Sequence, residues 1–382
     1  MMKDLRALLL CSLGLLFCVS GAKAQDGMAM ASTGSSVEPA ATTPATEPAA
    51  EEEEKESPYS LSGAVDAYYL YSFNHMPFPT SFTGSHNSFT LGMANLIFTK
   101  EGKVGFTADL AFGPRAEAAN GYLTDEGGIT SLSLIKQLFV TYSPSDKLKF
   151  TLGNFSTFVG YELIDAPGNV NYSTSYLFSN GPFYHTGLKA DIALADKFGL
   201  MLGVFNDTDT KVDVVKGKHI GAQLSYTGDK LSAFLNYLGG RHQEETPFTP
   251  EVFSHQVDLT ATLAVTDAFS LGLNSSMRDF HPAEGEDASW FGTALYAKYA
   301  VSDGFALGFR GEYMSDKDGI ITGLTDGNVL ALTLSGNIML GSLTIIPEFR
   351  IDQANEEGYF LDKDGKPTKS SAGFLTAVVY SF

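Results

Sequence analysis

Charged and aromatic side chains are the main chemistry open to this chain, because its two cysteines are Cys11 and Cys18 and its seven histidines are scattered. The densest group lies in 156–182. There Glu162 and Asp165 stand beside Tyr161, in a segment crowded with Phe158, Val159, Leu163, Ile164, Tyr172, Tyr176, Leu177 and Phe178. Apolar surface of that extent must be buried somewhere. If the segment folds inward, its two carboxylates face cations such as Arg310 and Arg350, an arrangement suited to steering ions rather than to breaking bonds. Further charges recur at alternate positions of apolar segments: Asp66, Lys103, Asp109, Lys189, Asp191, Asp258, Arg278, Lys298, Glu312, Glu348 and Asp352. Singly, each is best explained by hydration or pairing. Together they argue that one face of those segments is wet.

Motifs for catalysis or cofactors are absent. There is no Gly-x-Ser-x-Gly, His-Glu-x-x-His, phosphate-binding loop or dinucleotide fingerprint. His242 near Glu244 and Glu245, and Asp279 two before His281, are acid–histidine neighbours that chance explains as well as design. His185 opens a strand, where a hydrogen bond is the simpler role than metal ligation. Asp316-Lys-Asp318-Gly and Asp362-Lys-Asp364-Gly resemble the start of a calcium loop but lack its distal bidentate Glu, so they read as turns with at most weak calcium binding. No metal or cofactor is expected.

The elements that carry these residues are strands. Tyr59, Leu61, Val65, Ala67, Tyr69, Tyr71 and Phe73 share one face, and Ser60, Ser62, Asp66, Ser72 and Asn74 the other. Val104, Phe106, Ala108, Leu110 and Phe112 oppose Lys103, Thr107 and Asp109, and Phe305, Leu307, Phe309 and Tyr313 oppose Arg310 and Glu312. Period two with one apolar and one polar face is the pattern of a lipid-facing barrel strand. Seven short turns (100–103, 143–147, 195–197, 227–230, 266–268, 302–304 and 340–342) alternate with eight longer loops near 74–87, 114–130, 156–182, 207–218, 240–254, 279–288, 315–328 and 353–370. Short turns at one end and long loops at the other mark an up-and-down transmembrane barrel. The count gives an all-β antiparallel barrel of about 16 strands over 59–382. Strand 132–142 is apolar on both faces in places, and Pro347 interrupts 343–351, so the register is open at both. A soluble β-sandwich or propeller would explain neither the alternating loop lengths nor the aromatic end, Tyr380 and Phe382.

Residues 1–24 carry a positive start (Lys3, Arg6), an apolar run (Ala7–Val19) too short to span a bilayer, and Ala22-Lys-Ala24 as a cleavage site, so they read as a signal peptide. Residues 25–58 form an acidic Pro/Ala/Glu-rich leader, expected to be disordered and periplasmic. The chain's net charge is −19, and −21 once Lys3, Arg6 and Lys23 leave with Asp4. That acidity leaves no basic face for nucleic acid.

The stretch Phe155-Ser-Thr-Phe-Val-Gly-Tyr-Glu-Leu-Ile-Asp-Ala-Pro-Gly-Asn169, with Tyr172-Ser-Thr-Ser-Tyr-Leu-Phe178, His185-Thr-Gly187 and Ile345-Ile-Pro-Glu-Phe-Arg-Ile-Asp352, resembles the OmpL-like β-barrel porins of Gram-negative outer membranes. The resemblance spans Tyr59 to Phe382. It implies an outer-membrane pore, and supplies neither a substrate nor site residues. A sixteen-strand barrel is wide enough for a water-filled channel. The expectation is therefore a non-enzymatic porin for passive diffusion of small hydrophilic solutes, narrowed by the third outer loop, 156–182. The constriction would draw on Tyr161, Glu162, Asp165, Lys189, Arg278, Lys298, Arg310, Glu348 and Arg350. Tyr380 and Phe382 would serve as the assembly signal. Expected partners are outer-membrane lipids and lipopolysaccharide, the barrel-assembly machinery, periplasmic chaperones and, by analogy with sixteen-strand porins, two further copies in a homotrimer. The alternatives are a plugged barrel acting as adhesin or anchor and, behind it, an outer-membrane hydrolase.

Overall fold

The computed structural model describes residues 57–121, 130–213, 217–243 and 251–382. The expected signal peptide, nearly all of the leader, and Glu244 and Glu245 lie outside these residues. Sixteen antiparallel strands close into one barrel. In order they are β1 (Tyr59–Ser72), β2 (Ser88–Lys100), β3 (Val104–Phe112), β4 (Ile135–Ser145), β5 (Leu148–Ser156), β6 (Tyr184–Ala195), β7 (Phe198–Phe205) and β8 (His219–Thr227). The second half comprises β9 (Leu231–Gln243), β10 (Val252–Ala264), β11 (Phe269–Pro282), β12 (Ala288–Ser302), β13 (Phe305–Asp316), β14 (Gly327–Leu340), β15 (Leu343–Ala354) and β18 (Ser370–Ser381). The short pair β16 (Phe360–Leu361) and β17 (Pro367–Thr368) stands apart in the last loop.

Every barrel strand pairs with its neighbour in sequence, and β18 returns to β1 with Val65 opposite Tyr380. The last residue takes part in the closure. Phe382 N donates to the Gly63 carbonyl at 3.1 Å and Gly63 N to the Phe382 carbonyl at 3.0 Å. Closure leaves no unpaired edge, which the bilayer requires of a β structure.

Side-chain parity holds the register. On β13, Ala306, Arg310, Glu312, Met314 and Asp316 are buried inside while Leu307, Phe309 and Tyr313 are exposed to the surrounding lipid. A slip of one residue would put Arg310 and Glu312 into lipid, at about 2–4 kcal/mol for a cation near the midplane. Large apolar side chains face outward around the barrel, from Leu61 and Phe89 to Phe374 and Tyr380.

The two uncertain stretches now have definite registers. Residues Ser131–Leu134 form a 3-10 turn, and β4 begins at Ile135 with Leu138, Val140 and Tyr142 outward and Phe139 turned inward. Pro347 stays in register with Thr376 on β18, but on the β14 side the pairing skips from Ser335↔Glu348 to Ile338↔Ile345. The register is the same on both sides of that gap, so the missing proline donor produces a break in the ladder without a bulge.

Several loops are shorter than expected. The expected loop 279–288 is only 283–287, because β11 and β12 continue outward beyond the apolar band with His281 and Ser289 still paired. Polar side chains there end the lipid-facing pattern without ending the ladder.

Candidate functional site

Loop 3, residues 157–183, joins β5 to β6 and turns into the lumen. Val159, Ile164, Tyr172, Tyr176, Leu177 and Phe178 are buried. Left at an outer tip, they would form an apolar patch in water. The inner wall is prepared for them. A Cβ on Gly292 would lie 2.5 Å from Leu177 Cδ2, and one on Gly308 2.8 Å from Val170 Cγ1. One on Gly272 would run into the Tyr161 ring. Glycine at these inward strand positions lets another segment approach closely.

Opposite its origin, loop 3 is held by ions and hydrogen bonds. Arg310 Nη1 donates to Glu162 Oε1 at 2.6 Å and to the Ser173 carbonyl at 2.6 Å, while its Nη2 reaches the Thr174 carbonyl at 3.2 Å. The other Glu162 oxygen accepts Ser175 N at 2.7 Å. Arg350 donates to the Thr174 carbonyl at 2.8 Å and to Thr80 Oγ1 of loop 1 at 2.9 Å, and pairs with Asp352 at 2.8 Å.

Two wall carboxylates each accept a pair of successive loop amides. Glu348 takes Tyr172 N and Ser173 N at 2.8 and 3.2 Å, and Glu312 takes Tyr176 N and Leu177 N at 2.9 and 2.8 Å. Charge-assisted bonds thus satisfy backbone groups that have no ladder of their own. The phenols add two more, Tyr172 to Asp66 at 2.5 Å and Tyr176 to Asp352 at 3.0 Å. Burial pushes both phenols well above the ordinary tyrosine range, so they stay protonated and remain donors.

Two further cations fix the middle of the loop. Lys136 on β4 bridges Asp109 of the wall and Asp165 of the loop, the latter at 2.7 Å, and Asn95 donates to Asp165 at 3.0 Å. Arg115 comes from the short helix Pro114–Asn120 in loop 2. It donates to the Ile164 carbonyl at 3.0 Å and lies 4.6 Å from the Tyr172 ring centre and 5.0 Å from that of Phe82. Asp66 is 3.7 Å from its Nε.

Near its own origin the same loop is held differently. Phe158 and Val159 pack with Phe155 on β5, Met201 and Phe205 on β7 and Leu238 on β9. Phe158 lies 5.7 Å from the Phe205 ring centre and 4.9 Å from that of His185. Polar support is sparse: Thr157 Oγ1 with His185 Nε2 at 3.0 Å, Gly160 N donating to Asp258 at 3.0 Å, and Gln223 Nε2 donating to the Phe158 carbonyl at 3.4 Å.

Of the expected constriction residues, Glu162, Arg310, Arg350 and Glu348 come together on the far wall. Tyr161 stacks on Tyr296 nearby, with ring centres 4.4 Å apart. Asp165 does not face Arg310 or Arg350. It is drawn to Lys136, because after Glu162 reaches Arg310 the loop swings to β2–β4 at Asp165 before returning to β13–β15. Lys189, Lys298 and Arg278 form no hydrogen bond to loop 3 among the described residues. Lys189 pairs with Asp191 at 3.1 Å, Lys298 is exposed toward the turn end, and Arg278 reaches Ser254 at 3.3 Å beneath the Phe280 ring.

Lys136, Arg115 and the glycine seats were not foreseen. Inward-parity glycines inside strands were the available signal for the seats. Asp316 accepts three backbone amides of its own loop, from Ile320, Ile321 and Thr322, and Asp362 accepts those of Asp364 and Lys366. Asp318 accepts Ser289 N. Asp316 and Asp362 act as turn supports, and Asp318 ties its loop to the start of β12. Tyr380 and Phe382 lie on the outward face at the turn end.

The sequence matches the family described as "Putative beta-barrel porin-2, OmpL-like" over residues 58–382. Among solved structures, an anion-selective porin from Comamonas acidovorans is similar at TM-score 0.57 and 14% identity, over 85% of this chain and 99% of that one. The outer membrane channel DcaP of Acinetobacter baumannii matches at TM-score 0.59 and 13% identity, over 85% and 97%. OmpT of Vibrio cholerae in its trimer form matches at TM-score 0.56 and 11% identity, over 85% and 99%. At these identities the likeness concerns the fold. No curated protein matches the sequence. The chain belongs to the OmpL-like β-barrel porin-2 family, and it is an outer-membrane porin by family and fold.

Proposed function

We propose that this OmpL-like barrel is a diffusion channel for small hydrophilic solutes and ions whose aperture is set by loop 3. The observation that carries this reading is the clamp. A loop anchored at β5 and β6 is pinned through Arg310, Glu312, Glu348 and Arg350 to the opposite wall of a sixteen-strand ring, which is the place from which a segment narrows a lumen. Below it the lumen stays wet. Lys149 is exposed, Lys189 and Asp191 are partly so, and an open pocket of about 510 Å³ at the turn end is bordered by Lys149, Asp191, Gln223 and Ser225. Selectivity follows the local charges at the narrowest level, and Glu162, Asp165 and the wall arginines are the groups to vary.

No catalytic step is invoked. The first 24 residues act as a cleaved signal, and the acidic leader is periplasmic. Tyr380 and Phe382 present the assembly signal to the barrel-assembly machinery, and three copies form the working unit in lipopolysaccharide-rich membrane.

A plugged barrel serving as adhesin or anchor is the second reading. It is favoured by one observation: Arg310 and Arg350 are 0% exposed. Planar-bilayer recording of the purified protein under a salt gradient separates the two. Steady open steps are expected, and a folded barrel that never conducts would overturn the channel.

A further inference from the structure

Resting on the channel reading, we infer that the solute path follows the β5–β9 side of the lumen and that Phe158 is its gate. The contact between loop 3 and the wall is of two kinds, and only one of them can part without breaking ions. On the far side the loop is tied by Arg310, Arg350 and four carboxylates. On the β5–β9 side an apolar seam of Phe158, Phe205 and Leu238 separates two polar layers.

Toward the turn end of this seam are Gln223 on β8 and Lys189 on β6, both partly exposed. Toward the loop end are His219 and His185, on the same two strands. Neither ring nitrogen of His219 and not Nδ1 of His185 has a hydrogen-bond partner among the described residues, although both rings are buried. Buried polar atoms without partners are where water or a passing polar group belongs. Asp207 lies 3.8 Å from His219 Nε2 and 3.1 Å from His242 Nδ1, continuing a polar track to the partly exposed His242.

The wall under the seam is built for rings to lie flat. A Cβ on Gly221 would run into the Phe205 ring and lie 2.7 Å from Phe158 Cζ, and one on Gly203 would also run into the Phe205 ring. Aromatic rings packed on glycine can swing with no ion pair lost. A short apolar constriction between polar layers also blocks ions by excluding water, the behaviour of hydrophobic gates. The far wall therefore anchors the loop, and Phe158 opens and closes the passage.

The test is single-channel recording of the full-length protein with Phe158→Ala and Phe158→Trp, alongside Trp290 emission. Trp290 is the chain's one tryptophan and packs with Leu177 on the clamped side, so it reports loss of the clamp. Expected is a several-fold higher conductance for Phe158→Ala with Trp290 emission unchanged, and a lower conductance for Phe158→Trp, which adds a second tryptophan and is read by conductance alone. Gly221→Ala approaches the seam from the wall and should also alter conductance, whatever the loop variants do to folding. Wild-type steps left unchanged by all three variants would overturn the gate and leave the channel reading standing. A rise accompanied by a red shift of Trp290 would place the change at the clamp and overturn it too. Silence of wild type and variants alike would sink the channel reading, and the gate with it.

Discussion

One loop meets two sides of the barrel wall by opposite physics. Across β12–β15 and β1–β4, loop 3 is bound by buried charges: Arg310 to Glu162, Lys136 to Asp165, and Glu312 and Glu348 to four loop amides. Across β5–β9 it rests on rings and methyls around Phe158 and Phe205. Buried ion pairs gain little over a well-packed apolar contact, but losing one partner is costly because the other stays behind as an uncompensated charge. Such contacts hold one geometry and punish any other. An apolar seam tolerates rearrangement, since its members keep contacts while they shift. The ionic side sets where the loop sits, and the apolar side is where it can move.

The strongest break in that contrast is Arg310→Ala. It strands Glu162 and the Ser173 and Thr174 carbonyls together, and should cost about 3–5 kcal/mol of stability, read by urea unfolding of the barrel in detergent. Trp290 emission should shift to the red as Leu177 leaves it. Next comes Tyr172→Phe, which leaves a buried Asp66 oxygen without its phenol donor and should cost about 1–3 kcal/mol in the same titration. Gly292→Val fills the Leu177 seat. Overpacking of this kind costs about 1–3 kcal/mol and should move Trp290 emission while leaving the Phe158 seam alone.

The smallest effect concerns the outer support of loop 3. Asp209, in the loop between β7 and β8, accepts Phe183 N at 2.7 Å and Tyr184 N at 3.0 Å, and burial raises it from 3.8 to about 6. The folded chain then holds a proton that the unfolded chain has already released. Its contribution to stability is present below pH 3.8, declines as pH rises toward 6, and is flat above that. Asp209→Asn should erase this slope, and urea midpoints at pH 4 and pH 7 would show it.

How much of this was legible in the sequence divides along the same line. Alternation of Tyr59, Leu61 and Val65 against Ser60, Ser62 and Asp66, with short turns and long loops in strict order, was enough to count sixteen strands, because parity and chain length are local properties. The apolar excess of 156–182 pointed the loop inward. Its partners were harder. Asp165 meets Lys136 rather than Arg310 because the loop swings from the far wall at Glu162 to β2–β4 at Asp165, and no local pattern encodes that path. Tyr68, Leu70, Leu375 and Val379 face inward although apolar, because Tyr172, Phe78 and Ala166 cover them. An inward face reads as polar only where water reaches it. The glycine seats on β8, β11, β12 and β13 were visible as strand glycines, but their purpose appears only with the loop in place.

One measurement bears most directly on the role of loop 3: single-channel conductance of the barrel in which residues 162–177 are replaced by a short glycine–serine linker, compared with wild type in the same bilayer. Removing the segment takes away both the clamp and the body of the loop while leaving all sixteen strands. Conductance several-fold above wild type, with unchanged barrel folding, is the expected result. Conductance equal to or below that of wild type would contradict the claim that loop 3 sets the aperture.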